Sequence, residues 1–364
     1  MKNSHKSEKL KVKNEKFEDL EFLKNFFSSF TSRVYLVGGC VRDEFLGITS
    51  KEYDLEVYDI EPEKFDKLMH KLGAKGVGKS FFVYKWKNFD ISLPRTETKV
   101  AKGHKGFEVK LTQDEKTASK RRDFTMNALM KNIYTGDILD FWGGIEDIKR
   151  KIIRHIDDKT FAEDPLRVLR AMQFSSRLKF KIDENTVKIC NSLDLLELSR
   201  ERIYMEFEKM FKSRYLYMGF YYFIKLGIAK QLLNLSFSKK EFFRLAKIYK
   251  TNPVESYFLY HLRYVKNIPA DTLAKDLNLP NSIKRDIKIK KKPKTVTNRF
   301  LYGLALKYPL KKFSILNAEC CKEWLIGQNI YEKKYRPKNI DPQNPRESIL
   351  NEIRNYDKII IKKG

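Results

Sequence analysis

The sequence predicts an α+β fold: an α/β head followed by an all-helical neck, body and tail. Three observations carry this. From about residue 33 to 142, short runs rich in β-branched and aromatic residues alternate with helical patterns. After about residue 144 strand signals almost vanish, and apolar residues recur at helical spacing. The 364 residues, 42% hydrophobic and 13% aromatic, suffice for two or three domains with sizeable cores. The expected divisions are a basic N-terminal tail and helix over 1–30, the head over 31–143, the neck over 144–213, and the body and tail over 214–364.

The elements follow in order. Residues 1–15 are a lysine-rich, disordered tail, and 16–28 carry the spacing of an amphipathic helix. VYLVG (34–38) is a strand, a helix follows near 40–46, and YDLEVYDI (53–60) is the next strand. PEKFDKLMHKL (62–72) is a helix, opened by Pro62 with apolar residues at 65, 68, 69 and 72. The string GAKGVGKS (73–80) then satisfies the phosphate-loop pattern of many NTPases. That pattern works only where a strand enters and a helix leaves, so that helix N–H groups face the phosphates. Here a helix enters and the strands FFVYKW (81–86) and FDISL (89–93) follow, so the glycines read as a helix cap and a turn. PRTETKVAKGHKGFEVKL (94–111) reads as a long loop. Helices are expected over 163–177, 184–193, 200–212, 215–233 and 239–250. The most apolar stretch, YLYMGFYYFIKLGIA (215–229), is too short and too tyrosine-rich to span a bilayer and reads as a buried helix.

Charge narrows the function classes. A formal net charge of +27 favours a polyanionic partner, and the runs at 284–294 and 332–338 are candidate phosphate contacts. Cys40, Cys190, Cys320 and Cys321 form no C-x-x-C pair, which fits reduced thiols in a cytoplasmic protein. Five scattered histidines argue against zinc. The first fourteen residues have no apolar core, so no secretory signal and no membrane partner are expected.

The chemistry concentrates in YLVGGCVRDEFLGITSKEYDLEVYDI (35–60). A strand ends at Gly38 and Gly39, where a backbone without Cβ atoms can approach a phosphate, and Arg42 follows on the helix. The next strand carries Glu52, Asp54 and Glu56, and residues two apart share a face. Three carboxylates on one face repel unless solvated or neutralised by cations, and such an oxygen-rich cluster suits Mg²⁺. Asp90 on FDISL would join Asp54 from an adjacent strand. On EDPLR, Asp164 and Arg167 are three apart, with Arg170 continuing the face. A carboxylate and a guanidinium there can pair with the Watson–Crick edge of C or A.

Five motifs in order resemble the class II tRNA nucleotidyltransferases and bacterial poly(A) polymerases. GGCVRDEFLG with its acid-x-acid strand resembles the head motif of that family. RRDFTMNAL (121–129) resembles its ribose- and triphosphate-binding motif, and LDFWGGIEDIKRKIIRHI (139–156) its hinge. EDPLRVLRAMQFSSRLKF (163–180) resembles the nucleotide-selecting helix, and SRERIYMEFEKMF (199–211) the last neck motif. The resemblance covers residues 33–213, a little over half the chain. It implies a polymerase-beta-like head and template-independent, Mg²⁺-dependent addition or repair of the 3′-terminal CCA of tRNA, with CTP and ATP as substrates. It implies that Glu52, Asp54 and Asp90 serve catalysis, with Glu52 and Asp54 on the metal. Gly38, Gly39 and Arg42 would cradle the triphosphate, Arg122 and Asp123 would contact ribose or phosphate, and Asp164, Arg167 and Arg170 would read the base and hold the nucleotide.

The chain departs from the pattern at one point. The family's paired aspartates fall on residues 52 and 54, and here the first is glutamate; the string also fits one step later, as Asp54 and Glu56. The alternatives are a poly(A) polymerase, a CC-only or A-only enzyme, and, given Glu52, a non-catalytic RNA-binding protein. The family's polymerases carry a G-[RK]-[RK]-F element where this chain has GKSFF, and its full-length loop at 94–111 goes with complete CCA addition.

Overall fold

A computed structural model describes residues 18–78, 82–99, 107–248, 255–289 and 295–307, with shorter pieces beyond, among them 340–361. The chain divides into two compact units, Met1–Leu198 and Ser199–Gly364.

The first unit is built on a seven-stranded sheet. Its strands are β1 (Val34–Val37), β2 (Tyr53–Val57), β3 (Lys75–Gly78), β4 (Val83–Trp86), β5 (Phe89–Ser92), and then Met130–Asn132 and Ile138–Leu139, in the order β3-β4-β5-β2-β1 followed by these last two. β2 and β5 run parallel, while every other pair in the sheet is antiparallel. Parallel neighbours need a long connection. Here it is the helix Pro62–Leu72 and the β3–β4 hairpin. Pro62 opens that helix and Gly73 closes it in the left-handed region at φ 74°. The chain then enters β3 at Lys75, so the local order is helix, turn, strand; Lys79 and Ser80 lie outside the described residues. Val34, Leu36, Leu55, Val57, Phe65, Phe89 and Ile91 are buried in the core between sheet and helix.

Two sequence expectations need correction. The 94–111 segment is not a plain loop: Arg95–Lys99 and Phe107–Leu111 pair as an antiparallel ribbon, because Thr, Val and Phe on its arms favour extended backbone. Residues 100–106 lie outside the described residues. The 215–233 stretch is two helices, Leu216–Lys225 and Ile228–Leu233, because Gly227 turns the chain at φ 70°.

The second unit is helical throughout its described residues. Its core is aromatic: Phe220 stacks on Phe242 at 5.3 Å and meets Phe258 edge-on, while Phe207 packs on Phe211 and Phe223. Of the basic run at 284–294, residues 284–287 finish the helix Asn281–Ile287; Cys320, Cys321 and the run at 332–338 lie outside the described residues. Among the described residues, no helix is long and apolar enough to cross a membrane.

Candidate active site

The parallel pairing of β2 with β5 sets Asp54 opposite Asp90, and β4 sets Lys85 opposite Asp90. Residues paired across strands share a face, so Lys85, Asp90 and Asp54 form one row. Asp54 is exposed and has no hydrogen-bond or ion-pair partner among the described residues. Its pKa is raised, first by the surrounding protein, then by Asp90 and Glu56, against the opposing pull of Arg122 and Arg121. A cation beside Asp54 and Asp90 would relieve that strain. Two carboxylates from adjacent strands, one of them without a partner among the described residues, fit a hard divalent cation, which takes oxygen ligands.

Glu52 does not join this row. β2 starts at Tyr53, where its pairing with Phe89 of β5 begins, so no ladder fixes the residue before it. The Glu52 side chain is 76% exposed, with its Oε1 3.6 Å from Lys85 Nζ. Lys85 Nζ also lies 3.9 Å from Asp90 Oδ1. The expected face of three carboxylates is therefore absent, and among the described residues no group of three or more Asp, Glu, His or Cys could hold a metal.

Glu56 has the opposite environment. Only 2% exposed, it accepts at Oε1 from Arg122 Nη2 (2.8 Å) and Arg121 Nη2 (3.1 Å), and at Oε2 from the Tyr58 hydroxyl (3.3 Å). Burial alone would push its pKa up, but the two arginines outweigh burial and hold it low. Arg122 stays charged by the same logic: burial opposes the charge, and Glu56 and Asp54 restore it.

The glycine turn abuts this pair. Gly38 adopts φ 75° and ψ −127°, and a Cβ there would lie 2.7 Å from Arg122 Nη1. Gly39 is the first residue of the helix Gly39–Phe45 and has room for a Cβ. Arg42, expected to reach a triphosphate, points inward. It is 3% exposed, donates from Nε and Nη2 to Asp43 Oδ1 and from Nη1 to Asn127 Oδ1, and lies over the Phe174 ring. A neighbouring carboxylate and an aromatic face hold it as a brace for the turn.

Asp123 organises the far side. Its Oδ1 accepts from the Phe124 amide and from Asn127 Nδ2, and its Oδ2 from Arg170 Nε at 2.6 Å. Burial would raise its pKa, but Arg170, Asn127 and Arg167 lower it. Arg170 and Arg167 lie on the helix Leu166–Leu178. Asp164 does not. It sits two residues before the helix starts, where Pro165 follows it, and its Oδ1 accepts from the Leu166 amide at 3.2 Å. The shared helical face expected for Asp164 and Arg167 is thus replaced by a turn, in which the Arg167 amide donates to the Asp164 carbonyl at 3.0 Å. The Arg167 guanidinium donates to the carbonyls of Thr160 (2.6 Å) and Arg121 (2.5 Å). Burial lowers its pKa, opposed by Asp123 and Asp164. Two of its five N–H donors are engaged by neutral acceptors, which aim the group without cancelling its charge.

Sequence reasoning overlooked Lys85, Asn127 and the direct role of Arg121. The period-two alternation of β4 and the first basic residue of RRD were the available signals.

Comparison with known proteins agrees with this geometry. Residues 34–154 match the poly A polymerase head domain, and residues 179–236 match the domain described as a probable RNA and SrmB-binding site of polymerase A. The Multifunctional CCA protein of Nitrosospira multiformis is 39% identical over 199 residues, 52% of this chain and 46% of the relative. The CCA-adding enzyme of Buchnera aphidicola subsp. Cinara cedri is 34% identical over 274 residues, 65% of this chain and 64% of the relative. The chain spans about half the length of most of the curated relatives it matches. The crystal structure of the Bacillus stearothermophilus CCA-adding enzyme in complex with CTP shares the fold, with TM-score 0.66 and 22% identity over 91% of this chain and 90% of that one.

Proposed function

We propose that this chain, a member of the family of class II tRNA nucleotidyltransferases and bacterial poly(A) polymerases, adds or repairs the 3′-terminal CCA of tRNA in the cytoplasm. CTP and ATP are the substrates, and Mg²⁺ is the cofactor. The observation that carries the reading is the parallel pairing that sets Asp54 beside Asp90 on the sheet that also carries the Gly38 turn.

The family relies on divalent metals, and in this chain Asp54 and Asp90 would hold Mg²⁺, with Glu52 as the candidate further ligand. The ion, when bound, supplies charge neutralisation at the phosphates and activation of the RNA 3′-hydroxyl. The protein does the positioning. Gly38 lets the chain turn tightly beside Arg122, whose charge is matched to phosphate oxygens. Asp123 holds Arg170 in place. Arg167, aimed by two carbonyls, offers its remaining donors to a base edge, and Asp164 offers acceptors. Residues 144–213 act as the nucleotide-selecting neck, and 214–364 grip the tRNA through distributed basic residues.

The test supplies purified protein and Mg²⁺ with tRNA ending before the first C, after it, or after the second C, and CTP, ATP or both. The expected result is two C additions followed by one A. Long A tails on unrelated RNA would instead assign the chain to the polymerases, and no incorporation on any end would leave a binding protein.

A further inference from the structure

We propose that Glu56 is a positioning residue that aims the paired guanidiniums of Arg121 and Arg122 at the triphosphate of the incoming nucleotide. The inference rests on the nucleotidyltransferase reading above and assigns a part to a residue that reading leaves idle. Glu56 sits in the middle of the sheet, opposite Tyr35 on β1 and Ser92 on β5. A carboxylate in such a place is costly unless paired and hydrogen-bonded. Glu56 has both: one oxygen takes a donor from each arginine, and the other takes the hydroxyl of Tyr58, which is 0% exposed and packed edge-on against Tyr35. The carboxylate is therefore fixed from below, and it fixes the arginines above.

The charge balance gives this arrangement a use. Two adjacent guanidiniums repel, and one carboxylate between them offsets that repulsion while leaving one positive charge in the set of Glu56, Arg121 and Arg122. That charge stands beside the Gly38 turn, with Arg122 Nη1 2.7 Å from where a Cβ of residue 38 would be. Arginine forks suit phosphate oxygens, and their strength depends on being held in geometry before the ligand arrives. Glu56 is two residues from Asp54 on the same strand face, but its oxygens are already engaged by three donors. It supports the phosphate-binding groups and does not ligate the metal.

The experiment compares the full chain with Glu56→Gln and Glu56→Asp by calorimetry of CTP and ATP in EDTA, then by steady-state kinetics with a Mg²⁺ titration. Metal-free nucleotide affinity should fall at least about tenfold in Glu56→Gln, the scale of one lost charge-assisted hydrogen bond, and less in Glu56→Asp, which keeps the charge. KM for the nucleotide should rise more than kcat falls, with half-saturating Mg²⁺ unchanged. Should Glu56→Gln fail to fold, Glu56→Asp alone must show the weakened metal-free binding. A changed Mg²⁺ requirement with unchanged metal-free affinity would overturn the proposal by making Glu56 a metal ligand. Unchanged nucleotide affinity in variants with lowered melting temperature would overturn it by leaving only a packing role. A wild-type chain that binds neither nucleotide would overturn the nucleotidyltransferase reading and this inference with it. Wild-type binding without tRNA extension would overturn the CCA reaction alone and leave the Glu56 comparison standing.

Discussion

Asp54 and Glu56 stand two residues apart on one strand, with side chains on the same face, and have opposite environments. Asp54 is exposed and has no hydrogen-bond or ion-pair partner among the described residues, with a raised pKa; Glu56 is sealed under two arginines, with a lowered one. The difference comes from the chain that crosses above them. The Arg121–Arg122 segment, which follows the short helix Glu115–Lys120, hydrogen-bonds Glu56 and acts on Asp54 through its charge alone. An unpartnered carboxylate is available for chemistry, whereas a satisfied one stabilises and orients its neighbours. The same contrast separates the Asp54–Asp90 row from the network of Asp123, Asn127, Arg42 and Arg170.

The largest effect tests the open side. Asp54→Ala should lower nucleotide incorporation by on the order of 10³-fold, since several kcal/mol of transition-state charge stabilisation go with the metal. On the proposed function, binding of tRNA should persist, because distributed basic residues would carry it. The melting temperature should hold or rise, because no partner is lost. A stability loss with activity retained would invert the comparison.

On the closed side the pattern should reverse. Asp123→Ala removes an acceptor from Arg170 and from Asn127, and losing hydrogen bonds to a charged group costs about 1.5–3 kcal/mol, read by denaturant unfolding. The two acids also oppose each other in pH dependence. Asp123 has a lowered folded pKa, so its contribution is complete above the ordinary carboxylate value near 4 and is lost as pH falls through the folded value. Asp54 has a raised folded pKa, so its charge is a penalty at neutral pH, relieved as pH falls below that value. Asp54→Asn should therefore stabilise at pH 7, and Asp123→Asn should flatten the acid limb of the stability curve. The same sign for both would show that their environments are alike.

Gly38→Ala probes the boundary between the two regions. The backbone at φ 75° and ψ −127° is strained for any L side chain, and the new methyl meets Arg122 while Glu56 holds it. A loss of about 1–3 kcal/mol is expected, together with a raised nucleotide KM, from thermal melts and initial rates. Unchanged values would mean that the turn and Arg122 move freely together.

The row of β2 and β5 was legible in the sequence because period-two alternation fixes faces, and FDISL is a plain strand. The covering of Glu56 was not, since alternation says nothing of which loop lies over a face. Arg42 was misjudged for a related reason: the GGCVRD string places it near a phosphate turn, but its rotamer is set by Asp43, Asn127 and Phe174, one adjacent and two distant in sequence. The spacing of EDPLR places Asp164 on a helix, yet Pro165 favours a helix start and leaves Asp164 outside. The break at Gly227 could have been read from the glycine itself, which closes a helix at little cost.

The smallest effect belongs to Glu52, and it decides how far the open side extends. Its charge matches the first acid of the acid-x-acid motif that the sequence resembles, but its place before β2 leaves it solvated and near Lys85. Glutamate keeps the charge and adds one methylene, which lengthens the reach of a carboxylate placed just before β2. If Glu52 completes the metal site, Glu52→Ala should lower the rate about tenfold and raise half-saturating Mg²⁺, while Glu52→Asp should keep or raise the rate. The Mg²⁺ shift is the decisive readout, because loss of a surface ion pair with Lys85 alone would leave it unmoved. If neither variant changes rate or Mg²⁺ dependence, Glu52 is no ligand, and the protein's share of the metal site is Asp54 and Asp90, the two acids that the parallel strands hold side by side.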